Sequence, residues 1–176
     1  MINSEELLFV VDENNNPLTP LPRHIVHSGG HWHRVIHVWT IDGNGNLLCN
    51  KRSINKDQSP GNWAAGVGGH ILAGEDPVHT AVSEFYEELG IKISENDLQF
   101  YKICKNVNNK EFQYVYYILW DGSIDELKLE KEEIDEVRWF DIHDVEDNIS
   151  DKKITNWSKA PIYFHEIIPK LLSIKN

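Results

Sequence analysis

Between Gly66 and Ile91 the chain reads GVGGHILAGEDPVHTAVSEFYEELGI, and this stretch limits the fold more than any other. Asp76 is a helix-capping residue type, Pro77 suits a first helical turn, and Gly90 suits a left-handed exit. A helix is therefore expected over residues 76–89. At about 100° per residue, Val78, Ala81, Val82, Phe85 and Leu89 fall on one stripe, which must face a core. Glu84, Glu87 and Glu88 gather on the other side. Just before the helix, WAAGVGGHI is a glycine-rich extended segment, a place where backbone approaches something closely.

The partners for that stripe are mostly strands. LLFVV ends in the turn-rich DENNNP, and HRVIHVWTI, DGNG and NLLCNKR read as a hairpin. INKDQSPGNW is a polar loop; LQFYKICKNV, KEFQYVYYILW and EVRWFDI are further strands; PIYFHEIIPKLLSI closes as a helix despite Pro169. Repeated βαβ units are not evident, so the expected class is α+β, a mixed β-sheet sandwiched between α-helices. One domain over residues 1–176 is expected, with an N-terminal β extension over about residues 1–30 and a C-terminal helix over about residues 160–174. A formal charge of -11 argues against nucleic acid polymers or anionic lipid as partners. Cys49 and Cys104 stand in no metal-ligand spacing, and no apolar run approaches the roughly 18 residues of a membrane span, so the cytoplasm is the expected location.

Three glutamates so close, with no Lys or Arg among them, have two readings. A solvated acidic face tolerates the repulsion, because each like-charged pair costs roughly 0.2–0.5 kcal/mol. A site for a hard divalent cation, Mg²⁺ or Mn²⁺, uses it. The glycine-rich approach and Glu75 in the connecting loop favour the second.

The stretch resembles the Nudix box. Gly69, Glu75, Glu84, Phe85, Glu87, Glu88, Gly90 and Ile91 fall at its spacings over residues 69–91, and Ser83 stands where the box has arginine. The resemblance implies a Nudix fold and a hydrolase that uses Mg²⁺ or Mn²⁺ to cleave a diphosphate linkage. The substrate would be a nucleoside diphosphate derivative or a similar small diphosphate. It makes Glu84, Glu87 and Glu88 the metal ligands and lets Gly69 shape the metal and substrate site. Glu133 is either a further ligand or general base or a surface loop glutamate, and Glu75 is either functional or a loop carboxylate.

Similarity to the isopentenyl-diphosphate isomerase branch extends over about residues 7–142, through HRVIHVWTID, LLCNKRS, GVGGHILAGED and EEIDEVRWF. An isomerase is thus one alternative. Gly68 opposes it, standing where that enzyme has a cysteine, because glycine can neither donate nor accept the proton that isomerisation needs. A non-catalytic sensor or interaction domain is the other alternative, kept open by Ser83. His24, His27, His31, His33, His37 and His70 form either a metal site or ordinary strand and turn histidines. Lys51, Arg52 and Lys56 are the basic residues best placed for substrate phosphate. Trp63, Tyr114, Tyr116 and Tyr117 are either a base-stacking platform or core. A homodimer is left open.

Overall fold

The run His33–Ile41 is rich in β-branched and aromatic residues, and it becomes the middle of the sheet. The computed structural model describes residues 6–56, 58–150 and 156–174. Its elements begin with β1 (Leu7–Leu8), β2 (Leu21–Pro22), helix α1 (Arg23–Gly29), β3 (His33–Ile41) and β4 (Asn46–Arg52). There follow β5 (Trp63–Ala65), β6 (Val67–His70), helix α2 (Pro77–Leu89), β7 (Gln99–Asn106) and β8 (Glu111–Leu119). The chain closes with β9 (Ile134–Asp141) and helices α3 (Ile142–Ser150) and α4 (Phe164–Leu172).

The expected hairpin is present only at its tip. Strands β3 and β4 leave their turn paired through Ile41 and Leu47 alone, and then diverge. The ribbon 63–70 fills the gap between them. Strand β5 stays antiparallel to β4, the chain crosses at Gly66, and β6 runs antiparallel to β3. Strand β3 also pairs parallel with β8 from His33 and Glu111 to Ile41 and Leu119. Strands β7 and β9 pair with the far sides of β8 and β4. The result is one mixed sheet with a split in it.

Alternation along the strands divides the interior into two layers. Trp39, Ile41, Leu47, Cys49, Val115 and Tyr117 face α3 and α4, meeting Val145, Phe164, Ile167 and Leu171. Ile36, Val38, Leu48, Tyr116 and Ile118 face α2, meeting Ala81, Phe85 and Leu89. This is the expected α+β sandwich.

Three elements differ from expectation. Residues 23–29 are helical inside the segment read as a β extension, whose first residues, 1–5, lie outside the described residues. Helix α3 was not expected, and the last helix begins at Phe164 rather than near residue 160. Burial of Phe164, Ile167, Ile168 and Leu171 holds α4 together across Pro169, which has no N–H for the helix ladder.

Two attachments place the functional residues. Phe9 N–H donates to the Ile71 carbonyl at 2.9 Å and Ile71 N–H to the Arg34 carbonyl at 3.0 Å, stitching the N-terminal segment that carries α1 to the start of β3 and the end of β6. At the other side, Gly90 closes α2 with φ 74, and a Cβ there would stand 2.5 Å from the Cβ of Lys128. That approach lets Lys128 N–H reach the Leu89 carbonyl at 2.9 Å and Glu130 N–H the Glu88 carbonyl at 3.1 Å. The loop leading to Glu133 therefore hangs from free carbonyls at the end of α2.

Candidate active site

Helix α2 starts where its cap allows: the Asp76 carboxylate accepts from Val78 N–H at 2.9 Å. From that start, the helical period sets Glu84, Glu87 and Glu88 along one wall of a broad cleft. The wall is graded, with Glu87 exposed, Glu84 half-buried and Glu88 9% exposed. Glu88 thus belongs to the buried side, where an outward carboxylate was expected, because the loop 128–133 covers it. Val82, expected to be buried, is half-buried.

Glu84 lies flat on β6. A Cβ at Gly69 would be 2.1 Å from its Oε1, so only a residue without a side chain leaves that carboxylate its place. Burial, then Glu87 and Glu133, push the Glu84 carboxyl up to about 7. Burial, then Glu84 and Glu133, push Glu88 up to about 8, with Lys56 and Arg52 pulling the other way. These are oxygen donors brought together with too little countercharge, the donor set of a hard divalent cation. Among the described residues, the Ser83 side chain makes no hydrogen bond or ion pair. The positive field comes from elsewhere: Arg23 of α1 acts on Glu84, and Arg52 and Lys56 act on Glu88. Glu133 reaches the same cleft and forms an ion pair with Lys56.

The other residues singled out in the sequence divide. Arg52, Lys56 and Gly69 line the cleft. Lys51 does not, since alternation turns it to the opposite face of β4 from Asn50 and Arg52. Glu75 is outside the cleft, its carboxylate accepting from the Thr80 hydroxyl at 3.0 Å. Trp63, Tyr116 and Tyr117 are buried in the two layers, and the Tyr114 hydroxyl accepts from Asn15; none of the four lines the cleft.

Of the six histidines, three meet. His27 from α1, His33 from β3 and His70 from β6 bring one ring nitrogen each to within 4.8 Å of one another. The Nε2 atoms of His27 and His70 are 3.0 Å apart, while Nε2 of buried His33 has no hydrogen-bond partner among the described residues. His33 Nδ1 faces the His31 carbonyl at 3.0 Å, which orients the ring. Burial lowers all three, His70 to about 3, so they are neutral and can offer lone pairs to an ion that takes imidazole. His24 lines the cleft without joining the trio, and exposed His31 contributes its carbonyl. His37 turns to Tyr163 instead.

Sequence reasoning missed Glu111, Arg23 and Asn50. The parallel register sets Glu111 beside His33, and Glu111 lines the cleft with its carboxyl raised by burial. Long-range parallel pairing leaves no local trace in the chain, so only the register reveals it.

The NUDIX domain model matches residues 31–159. The chain belongs to the Nudix family. Nudix hydrolase 3 of Arabidopsis thaliana is 36% identical over 130 residues, which are 67% of this chain and only 17% of that relative. An uncharacterized Nudix hydrolase of Yersinia pestis is 32% identical over 139 residues, 77% of this chain and 72% of its own. Isopentenyl-diphosphate Delta-isomerase 2 of Photorhabdus laumondii is 27% identical over 139 residues, 78% of each chain. Among solved structures, DR0079 of Deinococcus radiodurans superposes with a TM-score of 0.73 at 20% identity, covering 94% of this chain and 99% of that one. These likenesses match the Nudix sandwich described above. No helix among the described residues is long and apolar enough to cross a membrane.

Proposed function

We propose that this Nudix chain is a hydrolase that uses Mg²⁺ or Mn²⁺ to cleave the diphosphate linkage of a nucleoside diphosphate derivative or a similar small diphosphate. The observation that carries the reading is the wall of Glu84, Glu87 and Glu88, faced by Glu133 and given its shape by Gly69. Glu84, Glu87 and Glu88 would hold the metal, which, when bound, neutralises phosphate and makes water a better nucleophile. Arg52 is placed to meet phosphate oxygens, its Nε already held by the Gln58 carbonyl at 2.9 Å. Glu133, in the same cleft and balanced by Lys56, is placed to take a proton from water.

Purified protein is assayed on a panel of nucleoside diphosphate derivatives with Mg²⁺ and with Mn²⁺. Metal-dependent release of phosphate-containing products is expected, and it should disappear with EDTA. Protein that is inert across the panel and binds neither ion at millimolar concentration by calorimetry would transfer the chain to the sensor class.

The likeness to the isomerase-named relative, 27% identical over 139 residues, supports a second reading, an isomerase of an allylic diphosphate. Gly68, which lines the cleft without a side chain, opposes it. Deuterium incorporation into isopentenyl diphosphate from heavy water decides between them, and none is expected.

A further inference from the structure

Beyond the glutamate wall, the split between β3 and β4 leaves a recess of about 160 Å³. Its lining includes His37, Asn50, Ala64, Ala65 and Pro161, and where it meets the cleft the two share Arg52, Glu88 and Glu133. The polar atoms there follow from a buried chain of bonds. Trp39 Nε1–H, which can only donate, meets the Tyr163 oxygen at 3.1 Å. The same oxygen lies 2.5 Å from Nδ1 of His37. Tyr163 is 1% exposed, so its own hydrogen needs an acceptor inside the protein, and His37 Nδ1 is the group at hand. With Nδ1 accepting, the proton of the neutral imidazole sits on Nε2. Burial, which pulls His37 down to about 4, keeps the ring in that neutral form.

Gly68 uncovers the ring. It pairs directly with His37 across the β3–β6 ladder, and a Cβ at Gly68 would lie 3.4 Å from Cδ2 and 3.9 Å from Nε2 of His37. Any longer side chain there would cover that edge. Asn50 spends its amide nitrogen on the Gly66 carbonyl at 2.8 Å and keeps its carbonyl oxygen as an acceptor. The recess thus holds one neutral donor and one neutral acceptor between alanine and proline walls, with Arg52 and the carboxyls of Glu133 and Glu88 also on its lining. Arg52 lines both the recess and the cleft and is the group for phosphate, while the His37 and Asn50 pair suits an uncharged group.

We propose that this recess is a subsite for the uncharged, acceptor-bearing moiety joined to the diphosphate, and that His37 binds it through an Nε2–H donor fixed by Tyr163 and Trp39. The proposal rests on the hydrolase reading, because the glutamate wall must hold the phosphates for the moiety to enter the recess.

Three measurements test it. Nitrogen-15 NMR of the free protein should show His37 as the Nε2–H tautomer, and Tyr163→Phe should let both tautomers appear. In Mg²⁺, the best-bound compound of a panel of nucleoside diphosphate sugars and dinucleoside polyphosphates should bind more tightly than inorganic pyrophosphate. His37→Asn keeps a polar atom near Tyr163 but cannot reach the recess. It should weaken binding of that compound about tenfold, the loss of one good hydrogen bond, and leave pyrophosphate unchanged. His37→Gln, whose amide reaches farther, should recover most of the loss. A His37 Nδ1–H tautomer, a panel with no member tighter than pyrophosphate, or equal weakening of both ligands by His37→Asn overturns the subsite. Wild-type protein that binds no pyrophosphate in Mg²⁺ overturns the hydrolase reading, whatever the tautomer.

Discussion

The cleft has two titratable walls, and burial drives both toward neutrality from opposite directions. Glu84 and Glu88 hold protons that an ordinary carboxylate would lose, while His27, His33 and His70 refuse protons that an ordinary imidazole would take. A cation resolves the first strain by supplying charge. It suits the second for a different reason, since neutral imidazoles offer free lone pairs. One wall therefore gains its ion against protons and the other does not. The two differ in donor type, in pH response and in their expected part in hydrolysis.

The largest expected effect separates the walls by activity. Glu87→Gln should keep the fold and lower turnover at least about a hundredfold, because a ligand loses its charge. His70→Asn should leave hydrolysis within about tenfold of wild type, since the trio is not part of the proposed hydrolytic set. Steady-state rates on the best panel substrate, with circular dichroism for the fold, compare the two. An inversion of that order would make the trio the catalytic centre.

Gly69→Ala sharpens the same contrast by geometry. The new Cβ would occupy the place of the Glu84 carboxylate and push it off β6. Turnover should fall by about tenfold or more, while the melting temperature changes little because a flexible side chain yields. Unchanged activity would show that the position of Glu84 does not matter.

Smaller and opposite are the effects of pH. Glu84 and Glu88 have folded-state values raised above the usual 4.5, so in that range the native state binds more protons than the unfolded one. Metal-free stability from these groups is full below about 4.5 and is lost as pH rises toward 8. The lowered histidines run the other way, contributing above about 6.5 and losing stability as pH falls below it. Between pH 6.5 and 8 the carboxyls act alone, so melts in EDTA should decline there and Mg²⁺ should flatten the decline. A metal-free curve rising over that window would contradict the assignment.

Ser83→Arg should do least. Arg23, Arg52 and Lys56 already act on the wall, so the Mg²⁺ concentration for half-maximal rate should shift by no more than about threefold. A much larger gain would mean that those three cations do not stand in for the arginine.

Much of this was legible because it is local. The cap at Asp76, the stripe through Phe85 and the exit at Gly90 together specify α2 as found, and the box spacing marks the glutamates. Helix α3 was missed although Ile142, Val145 and Ile149 are spaced for a helix, because the preceding strand pattern runs straight into it. Helix α1 is seven residues long, too short for its periodicity to show. The depth of Glu88, the place of Glu111 and the split of β3 from β4 depend on segments far apart in sequence. Helical periodicity put Glu88 on an outer face because it contains no information about the loop that later covers it.

The attachment of that loop also bears on how the chain tolerates change in length. Lys128 and Glu130 are tied by backbone to Leu89 and Glu88, and Ser53 N–H holds the Glu133 carbonyl at 2.8 Å. Glu133 is therefore registered against α2 and the end of β4, whatever path the chain takes to reach Lys128. An insertion in the exposed turn at residues 123–126 would leave those ties in place, while a single insertion between 128 and 133 would carry Glu133 out of register.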